Sequence, residues 1–230
     1  MNSLAFKIVD FGIQLAVILF AISFHESAHA YSALKFGDTT ARDLGRISLN
    51  PIRHLDPFGS VLLPLFMYII SSGRMIFGAA KPTPVDLRNT RNPRLANLVV
   101  SAAGPVSNFF LAAVALAGLL IIKKTSPGSI VELAYAIQRI RFAPGAMAPV
   151  VYVLFNFAMV NVALGVFNLI PIPPLDGSHV IRHFLSEGVL QVYDRVGMWG
   201  LVILMFFGGS VLGAFMYPVL NFFNGFLLGL

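Results

Sequence analysis

The feature that most constrains this chain is the length of its apolar segments. Three of them, Leu4 to Leu34, Leu95 to Ile122 and Val150 to Leu169, are long enough for a helix to cross a bilayer core, which needs about 20 residues. Overall, 57% of the residues are hydrophobic and only 11% are charged, with a mean hydropathy of +0.80. A soluble domain has about a quarter of its residues charged. The sequence therefore predicts an all-α polytopic membrane protein.

The remaining apolar stretches predict a total of about five to six transmembrane helices. Trp199 to Phe207 and Val211 to Leu228 supply one or two of them. Residues 58–80 hold an apolar run too short to span, which is typical of a re-entrant segment. Arg46 to Leu49 alternates like a short strand, so a membrane-associated β element is expected. Polar stretches are too short for a separate soluble domain, and residues 1–230 are predicted to form one membrane-embedded domain.

The basic residues predict the orientation of the chain in the membrane. The net charge of +6 does not indicate nucleic-acid binding, because the Lys and Arg residues are scattered through short loops. If residues 58–80 re-enter, then loops 35–56 and 81–94 lie on one face. With three further arginines, at 74, 182 and 195, these loops hold eleven of the sixteen basic residues, so this face is predicted to be cytoplasmic. On the opposite face, Ile130 to Ile140 has the pattern of an amphipathic surface helix.

A short polar motif, His25-Glu26-Ser27-Ala28-His29, follows the first apolar run. In a helix, His25 and His29 lie on one face, where both can bind one metal ion, and Glu26 lies beside them, where it can take a proton from a metal-bound water. Alternatively, the two histidines only form hydrogen bonds in a packed core. Ionisable groups at membrane depth are costly, which favours the functional interpretation. Cysteine is absent, so a Zn²⁺ site must use histidine and carboxylate.

Two further polar stretches lie far from this motif in the sequence. Gly104-Pro105-Val106-Ser107-Asn108 has small residues that permit close helix packing and an amide inside the bilayer. The stretch from Asn168 to Gly177 contains three prolines that break a helix, and Asp176 follows them. An isolated aspartate at this position would ordinarily cap the next helix, near Ser178. Because the two-histidine motif needs a third ligand, metal binding by Asp176 is favoured.

Together these stretches resemble the site-2 protease family of intramembrane zinc metalloproteases. The resemblance covers most of residues 9–185 and rests on four stretches: His25 to His29, Leu49 to Pro57, Gly104 to Asn108, and Asn168 to Gly177. It implies one Zn²⁺ per chain, and it implies His25, His29 and Asp176 as metal ligands and Glu26 as catalytic base. The chain has neither the PDZ-like insertion nor the CBS domain of better-known members.

The resemblance also implies a reaction and a location. The expected activity is hydrolysis of a peptide bond in or near a transmembrane segment of a membrane-protein substrate. The expected location is a bacterial or archaeal cell membrane, with the active site nearer the cytoplasmic face. The substrate is expected to become extended and to add as a strand beside Lys81 to Val85 or Arg46 to Leu49. Asn108 or Asn168 is the candidate donor to the oxyanion. The expected partners are the substrate and membrane lipids, and the oligomeric state is undetermined.

Several alternatives remain open at this stage. His54, just before Asp56 and Pro57, could gate the site, bind metal transiently or hydrogen-bond its loop. His179 stands where an arginine is frequent in the family, which leaves its role open. A metal transporter or sensor is a rival function, although it is expected to repeat its ligands in two halves, and this chain has one set. A catalytically inactive membrane-binding scaffold is disfavoured by the intact Glu26.

Overall fold

The computed structural model describes residues 4–72, 76, 78–126, 128–137, 145–195, 197, 199–200 and isolated positions between 213 and 225. The bounds of seven α-helices are defined: α1 Leu4–Phe36, α2 Thr40–Asp43, α3 Leu63–Ile70, α4 Pro93–Thr125, α5 Ser129–Ile137, α6 Ala148–Asn168 and α7 Asp176–Arg182. Residues 187–195 are also helical. A π-helical turn, Pro57–Leu62, leads directly into α3, and 3-10 turns occupy Pro51–Arg53 and Leu87–Asn89.

Helices α1, α4 and α6 are each long and apolar enough to cross a membrane, which confirms the three predicted spans. Their ends follow local signals. Helix α1 stops before Gly37, whose φ of 108° is a conformation that favours glycine. Helix α4 begins with Pro93 in its first turn and is capped by Asn92, whose side chain accepts a hydrogen bond from Leu95 N.

The three spans pack against one another, with α1 and α6 both antiparallel to α4. The contacts of α4 show this direction, because His29 of α1 meets Val100 whereas His25 meets Asn108. Small residues bring the backbones together: a Cβ at Gly165 of α6 would lie 2.9 Å from the ring of Phe109. An apolar cluster of α4, α5 and α6 residues fills the far half of the bundle. The part predicted as a surface helix, Ile130 to Ile140, is α5 as far as the structure describes it.

Residues 54–81 form a segment whose two ends lie at the same level of the helix bundle. At the base of this segment Lys81 N donates to His54 O at 3.0 Å, and Ala79 N donates to Gly59 O at 2.9 Å. At the far end of α3, Tyr68 donates to the carboxylate of Asp10 at 2.7 Å, near the start of α1. The segment thus penetrates deeply along α1 and comes back, as predicted for a re-entrant segment.

The predicted strand at Arg46 to Leu49 is wrong, and the part of the chain that the structure describes contains no strand at all. Its polar backbone groups bond to side chains and turns instead of a neighbouring strand. Arg46 N donates to Ala41 O at 2.8 Å, and Ser48 O accepts from Ser27 Oγ at 2.5 Å. The helices predicted over Trp199 to Phe207 and Val211 to Leu228 fall largely outside the described residues.

Candidate metal centre

His25, His29 and Asp176 converge at one point of the bundle. The Nε2 atoms of the two histidines lie 3.0 Å apart, and they lie 3.2 and 3.4 Å from Oδ2 of Asp176. One potential ligand atom from each residue lies within 4.8 Å of the other two. The helical spacing of the two histidines makes them neighbours on α1, whereas Asp176 arrives from the start of α7. The three residues predicted as metal ligands are therefore brought together.

The imidazole rings are held so that Nε2 faces this cluster. His25 Nδ1 lies 2.6 Å from Asn108 Oδ1, and His29 Nδ1 lies 2.6 Å from Val100 O. Both oxygens are acceptors, so each Nδ1 carries the proton and donates it. The lone pair is then on Nε2, which is the tautomer that binds a metal through Nε2.

A chain of amides fixes the orientation of Asn108. Asn161 Nδ2 donates to Phe157 O at 2.9 Å, which leaves Asn161 Oδ1 as the acceptor for Asn108 Nδ2, also at 2.9 Å. Asn108 Oδ1 must then face His25. Both asparagines are completely buried, so these hydrogen bonds replace water that they have lost. Asn108 therefore orients His25, and Asn161, which was not among the predicted site residues, holds Asn108 in place. The sequence feature that could have indicated Asn161 is a polar amide within the apolar run of α6.

Gly104 provides the space that the two imidazoles occupy. A Cβ at this position would lie within 3.0 Å of ring atoms of both His25 and His29, closer than real Cβ atoms approach. Gly104 was predicted to permit close helix packing, and in the structure the groups packed against it are the rings of His25 and His29. A side chain at residue 104 would fill the space in which the rings meet.

The start of α7 aims the carboxylate of Asp176 at the histidines. The N-cap residue of α7 is Leu175, and Asp176 follows it without making a side-chain capping bond, so its side chain is not used as a cap. Gly177 permits this approach, because a Cβ there would lie within 3.0 Å of Leu169 O at the end of α6. Oδ2 of Asp176 thereby faces Nε2 of His25 at 3.2 Å and Nε2 of His29 at 3.4 Å. An ionised carboxylate in this position supplies the anionic oxygen that a metal ligand needs.

These residues fit a zinc ion. Two imidazole nitrogens and one carboxylate oxygen are a ligand set of catalytic zinc sites, which keep a fourth position open. Asp176 Oδ2 is buried and has no hydrogen-bond partner of good geometry in the described residues, a costly arrangement unless a cation lies beside it. Each histidine has the second hydrogen bond typical of zinc ligands.

Glu26 lies next to the cluster but is not part of it. It follows His25 on α1 and is half-buried. Its Oε2 accepts a hydrogen bond of 2.7 Å from the backbone N–H of Thr83, and its main-chain carbonyl accepts one of 3.0 Å from Thr83 Oγ1. The other carboxylate oxygen, Oε1, has no hydrogen bond to any described residue. This arrangement suits a base, since one oxygen is held and the other is available.

Three other sequence candidates lie outside the cluster. His54 is buried, and its Nε2 lies 2.8 Å from Ser48 O, so its contacts are those of a loop-stabilising residue. Asn168 donates to Leu164 O of its own helix at 3.0 Å. His179 is one turn beyond Asp176, and burial, followed by the charge of Arg182, lowers its pKa. None of the three contributes an atom to the three-residue ligand group found among the described residues.

Comparison with known proteins places the chain in a family. The model of the family described as "Peptidase family M50" matches residues 13–208, and the chain belongs to this family, the site-2 proteases. Two similar proteins share the name "Putative zinc metalloprotease". YwhC of Bacillus subtilis is 37% identical over 89% of this chain and 85% of its own length. Rip2 of Mycobacterium tuberculosis strain H37Rv is 28% identical over 92% of this chain and 69% of its own length.

A shorter match connects the chain to a further protease. "Protease RseP" of Photorhabdus luminescens is 41% identical over 63 residues, which are 24% of this chain and 28% of RseP. No solved structure matches significantly. With the family established, the chain is a metalloprotease with zinc as its cofactor, and its apolar helices make it a multi-pass integral membrane protein.

Proposed function

We propose that this protein hydrolyses peptide bonds in or next to transmembrane segments of membrane-protein substrates. The observation that carries the proposal is the position of the metal centre on a spanning helix. His29 lies seven residues before Phe36, the last residue of α1, so the centre is about 10 Å inside that end of the span. A protease centre at this depth suits substrates that reach it from within the bilayer.

In the proposed reaction, His25, His29 and Asp176 hold the zinc ion. When bound, zinc supplies Lewis-acid polarisation of the scissile carbonyl and activation of water. Glu26 takes the proton at Oε1, while Thr83 holds Oε2, and then passes this proton to the leaving amine. Asn108 keeps the His25 ring in the orientation that ligation needs. Asn108 Nδ2 already donates to Asn161 Oδ1, so Asn168 is the candidate that remains for the oxyanion donor.

The orientation of the site is proposed from the loops at its end of the bundle. The connection after α1 and the connection before α4 meet there, because Arg91 N donates to Phe36 O at 3.0 Å. Loops 35–56 and 81–94 carry eight of the sixteen basic residues, and the arginines at 74, 182 and 195 bring the count assigned to this face to eleven, so we propose that it is cytoplasmic. Water for hydrolysis then enters from the cytoplasm.

The extended stretch Lys81 to Val85 offers a limited edge for substrate. Lys81 N is bonded to His54 O and Thr83 N to Glu26, while Pro82 and Pro84 have no N–H. The carbonyls of the two prolines accept no hydrogen bond from another described residue. A substrate strand here would therefore be recognised mainly by donating its own N–H groups to these carbonyls.

Cleavage of candidate substrates tests the proposed function. A panel of single-span membrane proteins would be co-expressed with the wild type or with Glu26→Gln, and products would be identified by mass. The wild type is expected to cut at least one substrate at a bond in or beside its transmembrane segment, whereas Glu26→Gln is expected to cut none. Identical products from both chains, or cuts only in distant soluble loops, would contradict the proposal.

A further inference from the structure

The extended segment that follows the re-entrant segment touches the proposed base directly. Thr83 makes two hydrogen bonds to one residue, Glu26: its N–H donates to the carboxylate at 2.7 Å and its hydroxyl to the main-chain carbonyl at 3.0 Å. The two residues are far apart in the sequence and lie in different elements. The double contact fixes the segment against α1 beside the metal ligands.

The segment itself is rigidly placed. Two residues before Thr83, Lys81 N donates to His54 O at 3.0 Å, and three residues after it, Asp86 N donates to Asp38 Oδ2 at 2.7 Å. Asp38 is completely buried. Between these anchors Pro82 and Pro84 have a fixed φ and force Lys81 and Thr83 into extended conformations. The N–H of Thr83 therefore cannot move far from Glu26.

The two prolines leave Thr83 N–H as the one backbone donor in the sequence Pro82-Thr83-Pro84. That N–H group is committed to Glu26 Oε2. Holding one oxygen restricts the rotation of the carboxylate, and the charge of Glu26 is close enough to act on the ligand His29. A base must lie within hydrogen-bond reach of the proton that it takes, so fixing one oxygen sets the position of the other.

We infer that Thr83 is a positioning residue for catalysis, and that its backbone N–H holds Glu26 in the orientation needed for proton transfer. This inference rests on the proposed function, in which Glu26 is the base. It assigns the main chain of Thr83 to the reaction and gives its hydroxyl the lesser task of holding the segment to α1.

Replacing the amide of residue 83 by an ester tests the inference without changing shape. Thr83→Val removes the hydroxyl and keeps the N–H, and the α-hydroxy analogue of valine at residue 83 removes the N–H as well. The same hydroxy analogue at Val85 is the matched control, since Val85 N donates to no described residue. Zinc per chain, kcat and KM would be measured on one cleaved substrate for each purified protein.

Thr83→Val is the reference for the residue-83 ester, and the Val85 ester controls for the weaker acceptor that an ester makes of the preceding proline carbonyl. The residue-83 ester is expected to lower kcat about ten- to hundredfold relative to both of these proteins, the size of one hydrogen bond to a charged group, with one zinc per chain and a KM equal to that of the Val85 ester. Equal kcat values for the ester and Thr83→Val, or a loss confined to KM or to zinc, would overturn the inference.

Two controls separate the possible failures. If the residue-83 ester does not fold, Thr83→Pro removes the same N–H from an already extended residue, and the same kcat and zinc criteria apply to it. Glu26→Gln is included in every assay. If Glu26→Gln cleaves normally, the proposed base is wrong; if it is inactive while the ester behaves like Thr83→Val, only the role of Thr83 is wrong.

Discussion

Gly104 of α4 lies directly against the His29 ring of α1, with no room for a Cβ between them. Gly104→Ala would place a methyl group within 3.0 Å of both ligand rings, so at least one of the rings must move. We expect the purified variant to bind less than half the zinc of the wild type and to lose cleavage activity. Zinc per chain, measured by elemental analysis of the detergent-solubilised protein, checks this.

Gly118 on the same helix is the matched control for Gly104. A Cβ there meets Leu154 at 3.4 Å, an ordinary van der Waals distance. Gly118→Ala should therefore retain zinc and activity, and it should be slightly more stable because alanine favours a helix. Full zinc content in Gly104→Ala would contradict the packing argument.

Substitutions of Asn108 and Asn168 are expected to differ in their effect on zinc affinity, because only Asn108 orients a ligand. Asn108→Ala removes the acceptor of His25 Nδ1–H, and loss of such a partner typically lowers metal affinity about 10- to 100-fold. Asn168→Ala removes only a bond to Leu164 O within α6, so zinc affinity should be unchanged. Competition with a chelator of known affinity measures both. Equal zinc affinities for Asn108→Ala and wild type would refute the orienting role.

Much of the site could be predicted from sequence because its chemistry is local. The spacing of His25 and His29 on a helix fixes their common face, and the missing cysteines restrict the remaining ligand to a carboxylate or another histidine. Asp176 could be predicted as a ligand only because the two histidines need a third one, since its position depends on how α7 packs against the bundle. Gly104 was predicted to contact a neighbouring helix backbone, whereas it contacts the two ligand rings. The sequence alone does not say which group a glycine packs against.

The failures have a common physical cause. Arg46 to Leu49 alternates like a strand, but none of the described residues forms a partner strand beside it, and Ser27 and turns supply its backbone hydrogen bonds. The link from Thr83 to Glu26 joins two elements through a backbone N–H, which leaves no pattern in side-chain identity. Asn161 acts through another asparagine, so no single motif contains it. Each of these contacts is decided by packing between distant segments.

Cysteine labelling tests the orientation. The chain has no cysteine, so single replacements report one site each. Leu44 and Arg88 are both exposed, on the loops beside the metal centre, and Gly128 is exposed at the opposite end of the bundle. With an impermeant thiol reagent on intact cells, Gly128→Cys should be labelled, whereas Leu44→Cys and Arg88→Cys should react only after lysis. Labelling of Arg88→Cys but not Leu44→Cys would show that residues 58–80 span the membrane.

Asp176 joins the two halves of the metal centre, and zinc stoichiometry in Asp176→Asn tests the account most directly. Asparagine has nearly the same shape, and Asp176 makes no capping bond, so folding and detergent stability should change little. The neutral amide lacks the anionic oxygen that a zinc ligand supplies. We expect Asp176→Asn to contain well under one zinc per chain and to be inactive, whereas Glu26→Gln should be inactive with a full zinc equivalent. A full zinc equivalent and normal cleavage in Asp176→Asn would contradict the assignment.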